Sequence, residues 1–421
     1  NYNVVVGDEA GTAITTGDQN VAIGFESLKT EDTGSRNTAV GAYTLNVLNN
    51  DAQSYNTAMG YAAGLSVTTG VQNTLIGGLA GDALTDADFN VAMGYAALSA
   101  DTLGSNSTAI GWSALAAQNF TSATLSYNTA VGFKAGLSVT TGVNNTLIGG
   151  LAGDALTIGG NNVAIGRDAL GAETTGQSNI AIGRLALGSQ NNTGSPNTYN
   201  IGIGTQAGYA VTTGTNNTLI GGLAGDALTT GSYNNAFGHA SLSAATTGEQ
   251  NAAFGRYSLN LNTTGSENTA VGNHALNSNT TADSNTAVGY FSLYANTTAS
   301  NNTAVGFESL VSNTTGSENQ AFGVSALSNN TTGSDNTAIG RLTLRDATTA
   351  IGNTAVGEGA GALMTTGSKN TLIGRYTGNS NGLDIRTTSN NIVLSDGDGV
   401  PKALYTGAYN KWAMSDSGIG R

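Results

Sequence analysis

The sequence predicts an all-β chain wound as a parallel β-solenoid of about 22 coils, each coil one 17-residue unit, and three observations carry that reading. A five-residue marker, Asn-Thr-Ala-Val-Gly and its variants, recurs 22 times between Gly7 and Gly374. Eighteen of the 21 intervals between marker glycines are equal, as from Gly7 to Gly24 and from Gly24 to Gly41, and they set the period. Gly, Asn and Thr, all poor residues for a helix interior, recur inside every unit, which removes the helical alternative. A fixed period of this length marks an architecture in which each unit is stable only against its neighbours.

Three intervals are longer, Gly41 to Gly60 by two positions and both Gly111 to Gly132 and Gly183 to Gly204 by four, so insertions bulge from a constant frame. Gly60, Gly132 and Gly204 are evenly spaced and open nearly identical segments that end in Asn-Thr-Leu-Ile-Gly-Gly-Leu-Ala-Gly-Asp-Ala-Leu, the trace of duplication. Residues 1–378 are expected to form the repeat shaft, and 379–421 a degenerate last coil and a C-terminal junction.

Each column of the unit has an expected physical task. Asn stands four residues before the marker Gly in 21 of 22 units, with Ser107 the exception. In register, these amides lie above one another as a structural ladder; Asn20, Asn37, Asn56, Asn73, Asn268, Asn285, Asn302, Asn319 and Asn336 are its nominated rungs. The residue just before the Gly is Val, Ile, Met or Phe in every unit and is expected to point inward. The Ala before it would then form a small outer face that lets another chain approach. Leu (Leu28, Leu98, Leu170, Leu276, Leu310) or Gly (Gly64, Gly136, Gly208, Gly361) four residues after the marker reads as an inward position on a second short strand. The Thr-Thr-Gly that ends at Gly70, Gly142, Gly214, Gly265, Gly316 and Gly367 reads as a tight turn whose Gly supplies positive φ.

One unit cannot stand alone. Fixing its backbone costs roughly 1 to 2 kcal/mol per residue, and two or three buried aliphatic side chains return only about 1.5 to 3 kcal/mol each. Stacking must supply the rest, and at a strand spacing of about 4.8 Å the 22 coils would extend on the order of 105 Å.

Composition narrows the functional classes. Among 421 residues, 61 are Gly, charged residues make up 10% and aromatic residues 6%, unlike a typical soluble enzyme. A net charge of -13 repels phosphate backbones, so no nucleic-acid partner is expected. Cys is absent, which excludes disulfides and thiolate metal sites. No apolar run is long enough to cross a bilayer, so membrane insertion is not expected. The chain begins at Asn1 without a signal-peptide pattern and reads as a fragment or processed piece.

Repeats of the form Asn-Thr-Ala-Val-Gly-x-x-Ala-Leu-x-x-Asn-Thr-Thr-Gly-Ser, almost unbroken from Asn268 to Leu344, resemble those of tailed-phage tail fibres and, more distantly, the heads of trimeric autotransporter adhesins. The likeness runs from Asn3 to about Gly374. It implies a left-handed β-roll, a homotrimer, and a structural and adhesive fibre on a virion that projects or contributes host-receptor binding. The implied partners are further copies of the chain, a host-cell surface glycan or protein receptor, and other fibre or baseplate proteins. The segments Ser389 to Gly399 and Met414 to Gly420 are similar to the junction after which such fibres continue. A bacterial surface adhesin is the alternative; an ice-binding solenoid is a further one, which needs a flat, regular Thr array, whereas the Thr-Thr pairs fall beside turn glycines.

No constellation for catalysis, metal or cofactor emerges, and the chain is not expected to be an enzyme. His239 and His274 occupy variable positions and read as incidental surface residues. Asp396-Gly-Asp398-Gly lacks the remaining calcium-loop positions and reads as a turn. One column is a candidate for surface recognition or chain contact. Directly after the marker Gly stand Phe25, Tyr61, Tyr95, Trp112, Phe133, Tyr290 and Phe307, or Arg in other units, and aromatic faces suit both glycans and interfaces.

Overall fold

The computed structural model describes residues 2–193, 197–407 and 411–414. It is a parallel β-solenoid of about 23 turns of about 17 residues, without a helix among the described residues. Two compact units divide it, Asn1–Asn216 and Asn217–Arg421. In each, every coil contributes one three-residue strand on the marker, paired in parallel with the strand of the next coil: Thr286, Ala287 and Val288 lie against Thr303, Ala304 and Val305. The longer intervals keep this register, as in Thr38 against Thr57 and Thr108 against Thr129. The extra residues therefore leave the sheet untouched.

Inside and outside are the reverse of the expectation for the strand. The middle Ala is fully buried from Ala22 and Ala39 to Ala338 and Ala355, while the residue before the Gly is half-buried or exposed, as at Met59, Val271 and Ile339. The interior is narrow and already holds the Leu four residues after the Gly and the marker Asn, both fully buried. Only Ala fits between them, so the β-branched residue turns out. Volume is conserved coil by coil: where the inner strand residue is Leu75 or Leu147, the flanking Leu positions are glycines. A Cβ on Gly64 would lie 2.7 Å from Leu75 Cδ1, and one on Gly81 2.8 Å from Leu75 Cδ2.

The Leu position after the marker is not on a second strand; a second short strand appears only later in two coils, Gly104–Ser105 paired with Thr124–Leu125, among the described residues outside the C-terminal segment. The inward Leu lies in a run of turns and has positive φ, 48° at Leu28 and 50° at Leu310, as does the residue two positions earlier, Glu26 or Glu308. Such backbone is unfavourable for a branched side chain. It persists because hydrogen bonds between coils continue through the turns, as from Leu293 N to Ser309 O (2.9 Å) and Thr314 N to Thr331 O (2.9 Å). The Thr-Thr-Gly glycines also differ from expectation: Gly70, Gly142, Gly265, Gly316 and Gly367 are not in the positive-φ region. They are glycines because a Cβ would strike a backbone carbonyl of the next coil, Ala282 O below Gly265 and Gly333 O below Gly316. The marker glycines meet both demands, with φ of 136° at Gly289 and a Cβ position 2.5 Å from Gly306 O.

The last parallel rung is Asn391–Ser395, beside Thr371–Ile373; the chain then turns antiparallel through Pro401–Thr406 and Lys411–Met414. Residues 415–420 of the expected junction motif lie outside the described residues. Asp396 Oδ1 accepts the N–H groups of Asp398 (3.1 Å) and Val400 (2.8 Å), the arrangement of a turn.

Candidate interaction surface

The marker Asn residues hold the frame on which every surface column sits. All nine nominated rungs are buried. Each Oδ1 accepts the backbone N–H of the Asn one coil on, at 3.0 Å for Asn285 on Asn268, 2.9 Å for Asn302 on Asn285 and 3.1 Å for Asn336 on Asn319. In most rungs Nδ2 reaches across the coil to the carbonyl 14 residues later, as from Asn56 to Gly70 (2.8 Å) and from Asn319 to Gly333 (2.8 Å). The axial bond thus runs mainly from side chain to backbone, and amide-to-amide contact is secondary, as from Asn285 Nδ2 to Asn268 Oδ1 (3.2 Å). Asn37 keeps its axial bond to Asn56, but its buried Nδ2 has no partner, because the residue at the matching position lies in the longer coil.

A second ladder runs through the Asn of Asn-Thr-Thr: Asn262, Asn279, Asn296, Asn313 and Asn330. Here the amides bond one another directly, at 2.8 to 3.1 Å, and each Nδ2 also reaches the carbonyl three residues on. It ends at Ala347, and Asn330 Oδ1 is left buried without a partner. Sequence reasoning passed over this ladder, although its recurrence at the coil period was visible.

At the same position, in the coil before each long interval, stands a fully buried carboxylate: Glu31, Asp101 or Glu173. Glu173 accepts N–H bonds from Thr174 (2.9 Å), Thr175 (3.1 Å) and Gly176 (2.7 Å), and a bond from Gln190 Nε2 (2.9 Å). Gln190 in turn accepts from Asn200 Nδ2 (3.0 Å). Asp101, Gln118 and Asn128 repeat the chain at 2.6 and 2.9 Å, and Gln118 also donates to Ser107, the one marker position without Asn. These carboxylates splice inserted turns into the stack. Burial pushes the Glu31 carboxyl above its usual range.

The outer face of the strands carries two columns. One reads Thr269, Thr286, Thr303, Gln320 and Thr337 in the second unit, and Thr57, Thr74, Val91, Thr108 and Thr129 in the first. The other is β-branched or larger, as in Met59, Ile76, Met93, Ile110, Phe237, Phe254, Val288 and Val305. Neither column contains a charged residue in any marker strand. Phe237 and Phe254 stack at 4.8 Å. The Thr column is outward and in register, but Val, Ile, Asn, Ala and Gln interrupt it, and its neighbour carries Phe and Met.

The nominated recognition column is exposed throughout, from 40% at Phe25 to 61% at Tyr61. Its rings largely cover one another. Tyr95, Trp112 and Phe133 form a continuous stack at 6.4 and 5.3 Å, with the Lys134 ammonium 5.3 Å from the Trp112 ring centre; Tyr290 and Phe307 stack at 5.7 Å. Phe25 and Tyr61 are joined edge-on through Tyr43, a residue not nominated. His239 and His274 sit in a related row with Tyr257 and Phe291. The His274 imidazole is held below its usual range by burial and then by Arg256.

The chain matches no protein-family model, no curated protein and no solved structure.

Proposed function

We propose that this chain is a structural and adhesive fibre protein of the phage tail-fibre kind, whose copies pack side by side through the outer face of the sheet. The carrying observation is that this face bears two columns without a charge in any marker strand, although the chain carries 27 acidic and 14 basic residues elsewhere. Uncharged, β-branched and aromatic surface is the composition of an interface core, and exposed sheet faces of this extent mark association sites. A second copy has the same coil spacing, so ridges of Val, Ile and Thr interdigitate in register along the contact. Homotrimers, virion location and host-receptor contact belong to this reading and rest on the repeat resemblance. An ice-binding face is less well served, because its Thr column is broken and its neighbour column is bulky.

The absence of Cys makes the test direct. Val305→Cys, on the outer face, is expected to yield covalent multimers on mild oxidation, whereas Thr315→Cys, on an exposed turn of the same coil, yields few. Cross-linking from Thr315 alone, or from neither site, shows that copies do not meet on this face.

A further inference from the structure

A column five residues before the marker Gly in the first unit has a different character from the stacked aromatic row. Over six successive coils, between Arg36 and Asn161, it reads Tyr55, Gln72, Phe89, Asn106, Tyr127 and Asn144, so that aromatic and carboxamide side chains alternate coil by coil. All six share left-handed backbone, with φ between 49° and 61°, and bonds between coils fix their register: Gln72 N to Ser54 O (2.7 Å), Asn106 N to Asp88 O (3.0 Å) and Asn144 N to Ser126 O (2.8 Å). The rings are exposed, at 46% for Tyr55, 48% for Phe89 and 56% for Tyr127. Unlike Tyr95, Trp112 and Phe133, these three make no ring-to-ring contact among the described residues; the Tyr55 ring carries the Arg36 guanidinium over one face, 5.2 Å from its centre, and the Phe89 and Tyr127 rings carry no cation among the described residues. A depression of about 370 Å³ is lined by Tyr55 and Gln72.

We propose that this column binds a neutral, extended polysaccharide of the cellulose or chitin kind, laid along the coil axis. Rings on every second coil recur at about 9.6 Å, twice the strand spacing. An extended, equatorially linked chain flips each sugar relative to the last, so the same pyranose face returns once per disaccharide, and that length is close to two coils. Each ring meets an apolar sugar face, and each intervening carboxamide meets hydroxyls, as both donor and acceptor. From Tyr55 to Gly150 this column, the two strand columns and the position after the Gly hold no charged residue. Over that stretch nothing in those columns would select a charged glycan; Arg36, the member of the column one coil before Tyr55, marks its limit. The inference rests on the adhesive reading above and names its ligand class.

Depletion of the full chain from solution by insoluble cellulose and by chitin tests it. Wild type is expected to be retained on at least one of them. Exchange of Gln72 and Phe89 (Gln72→Phe with Phe89→Gln) keeps the composition but destroys the two-coil spacing; it and the triple variant Tyr55→Ala, Phe89→Ala, Tyr127→Ala should weaken retention about tenfold or more. Tyr95→Ala with Trp112→Ala should leave it unchanged. Circular dichroism checks that each variant keeps its strand signal. Wild type that stays in solution with both polymers, or an exchange variant that binds as wild type does, overturns the proposal. If the triple variant changes the solution mass instead, the column is a contact between copies and the proposal fails. Failure on both polymers with cross-linking at Val305 intact removes this ligand and leaves the fibre reading standing.

Discussion

At the scale of single residues, the marker Asn does two things that no other side chain of its size can do. Its Oδ1 satisfies the N–H of the next coil, and its Nδ2 clasps the end of its own coil. Asp would present a buried charge to the Gly333 carbonyl, and Ser is too short, which is why Gln118 supplements Ser107. Asn319→Ala leaves the Asn336 N–H buried and unpaired and removes one of the two donors to the Gly333 carbonyl, the other being Asn330 Nδ2, and should cost about 1 to 3 kcal/mol, read as a lowered denaturation midpoint. The opposite change is available one column away. Ala347→Asn places an amide where Asn330 Oδ1 lacks a donor and should raise the midpoint by about 0.5 to 1.5 kcal/mol; no gain would mean that the second ladder contributes nothing beyond filling space.

At the scale of the coil, volume and charge are traded between neighbours. Leu75 occupies the space that Leu takes elsewhere from the position of Gly64. Leu75→Ala should cost about 2 to 5 kcal/mol by opening a cavity, Gly64→Leu alone should overpack the site, and the double variant should recover much of the loss, a coupling that a double-mutant cycle of denaturation midpoints measures directly. The splice carboxylate Glu31 sets a pH dependence. The Glu31 carboxyl titrates higher in the folded chain than in the unfolded one, so the native state binds the extra proton in the window between those values, and stability falls as pH rises through it. Glu31→Gln should flatten the stability profile above about pH 4.5, with wild type gaining on acidification and the variant not; a wild-type profile that rises with pH there contradicts the assignment. The repeat period, the parallel register and the Asn ladder were legible because each depends only on what recurs at one spacing. Which face of the strand lies inside was not. Alternation divides Ala from Val but does not say which is interior; that depends on how much room Leu28 or Leu310 and the Asn leave in so short a turn. The left-handed Leu was equally hidden, since propensity argues against it and only the bonds between coils sustain it.

At the scale of the whole molecule, the surface follows from the interior. Because the inside of the strand takes Ala, or Leu where the flanking positions are Gly, every coil turns a β-branched or larger side chain outward, and stacking makes that choice into a continuous uncharged face within each unit. A lone chain exposing it carries an association hazard, which the proposed packing of copies would remove. The stacked aromatic row and the alternating column lie outside the strands and remain for contacts of other kinds. The aromatic residues after the marker were readable from sequence as a column, but their mutual stacking depended on coil spacing, and the alternating column shows only once coils are superposed. The most direct test is the mass of the purified chain in solution by light scattering, compared with Val288→Lys, Val305→Lys. The wild-type particle is expected to be a whole multiple, three by the repeat resemblance, of the 42.0 kDa chain, and the folded variant to shift toward a single chain; a wild-type particle of one chain at all concentrations would contradict packing of copies through this face.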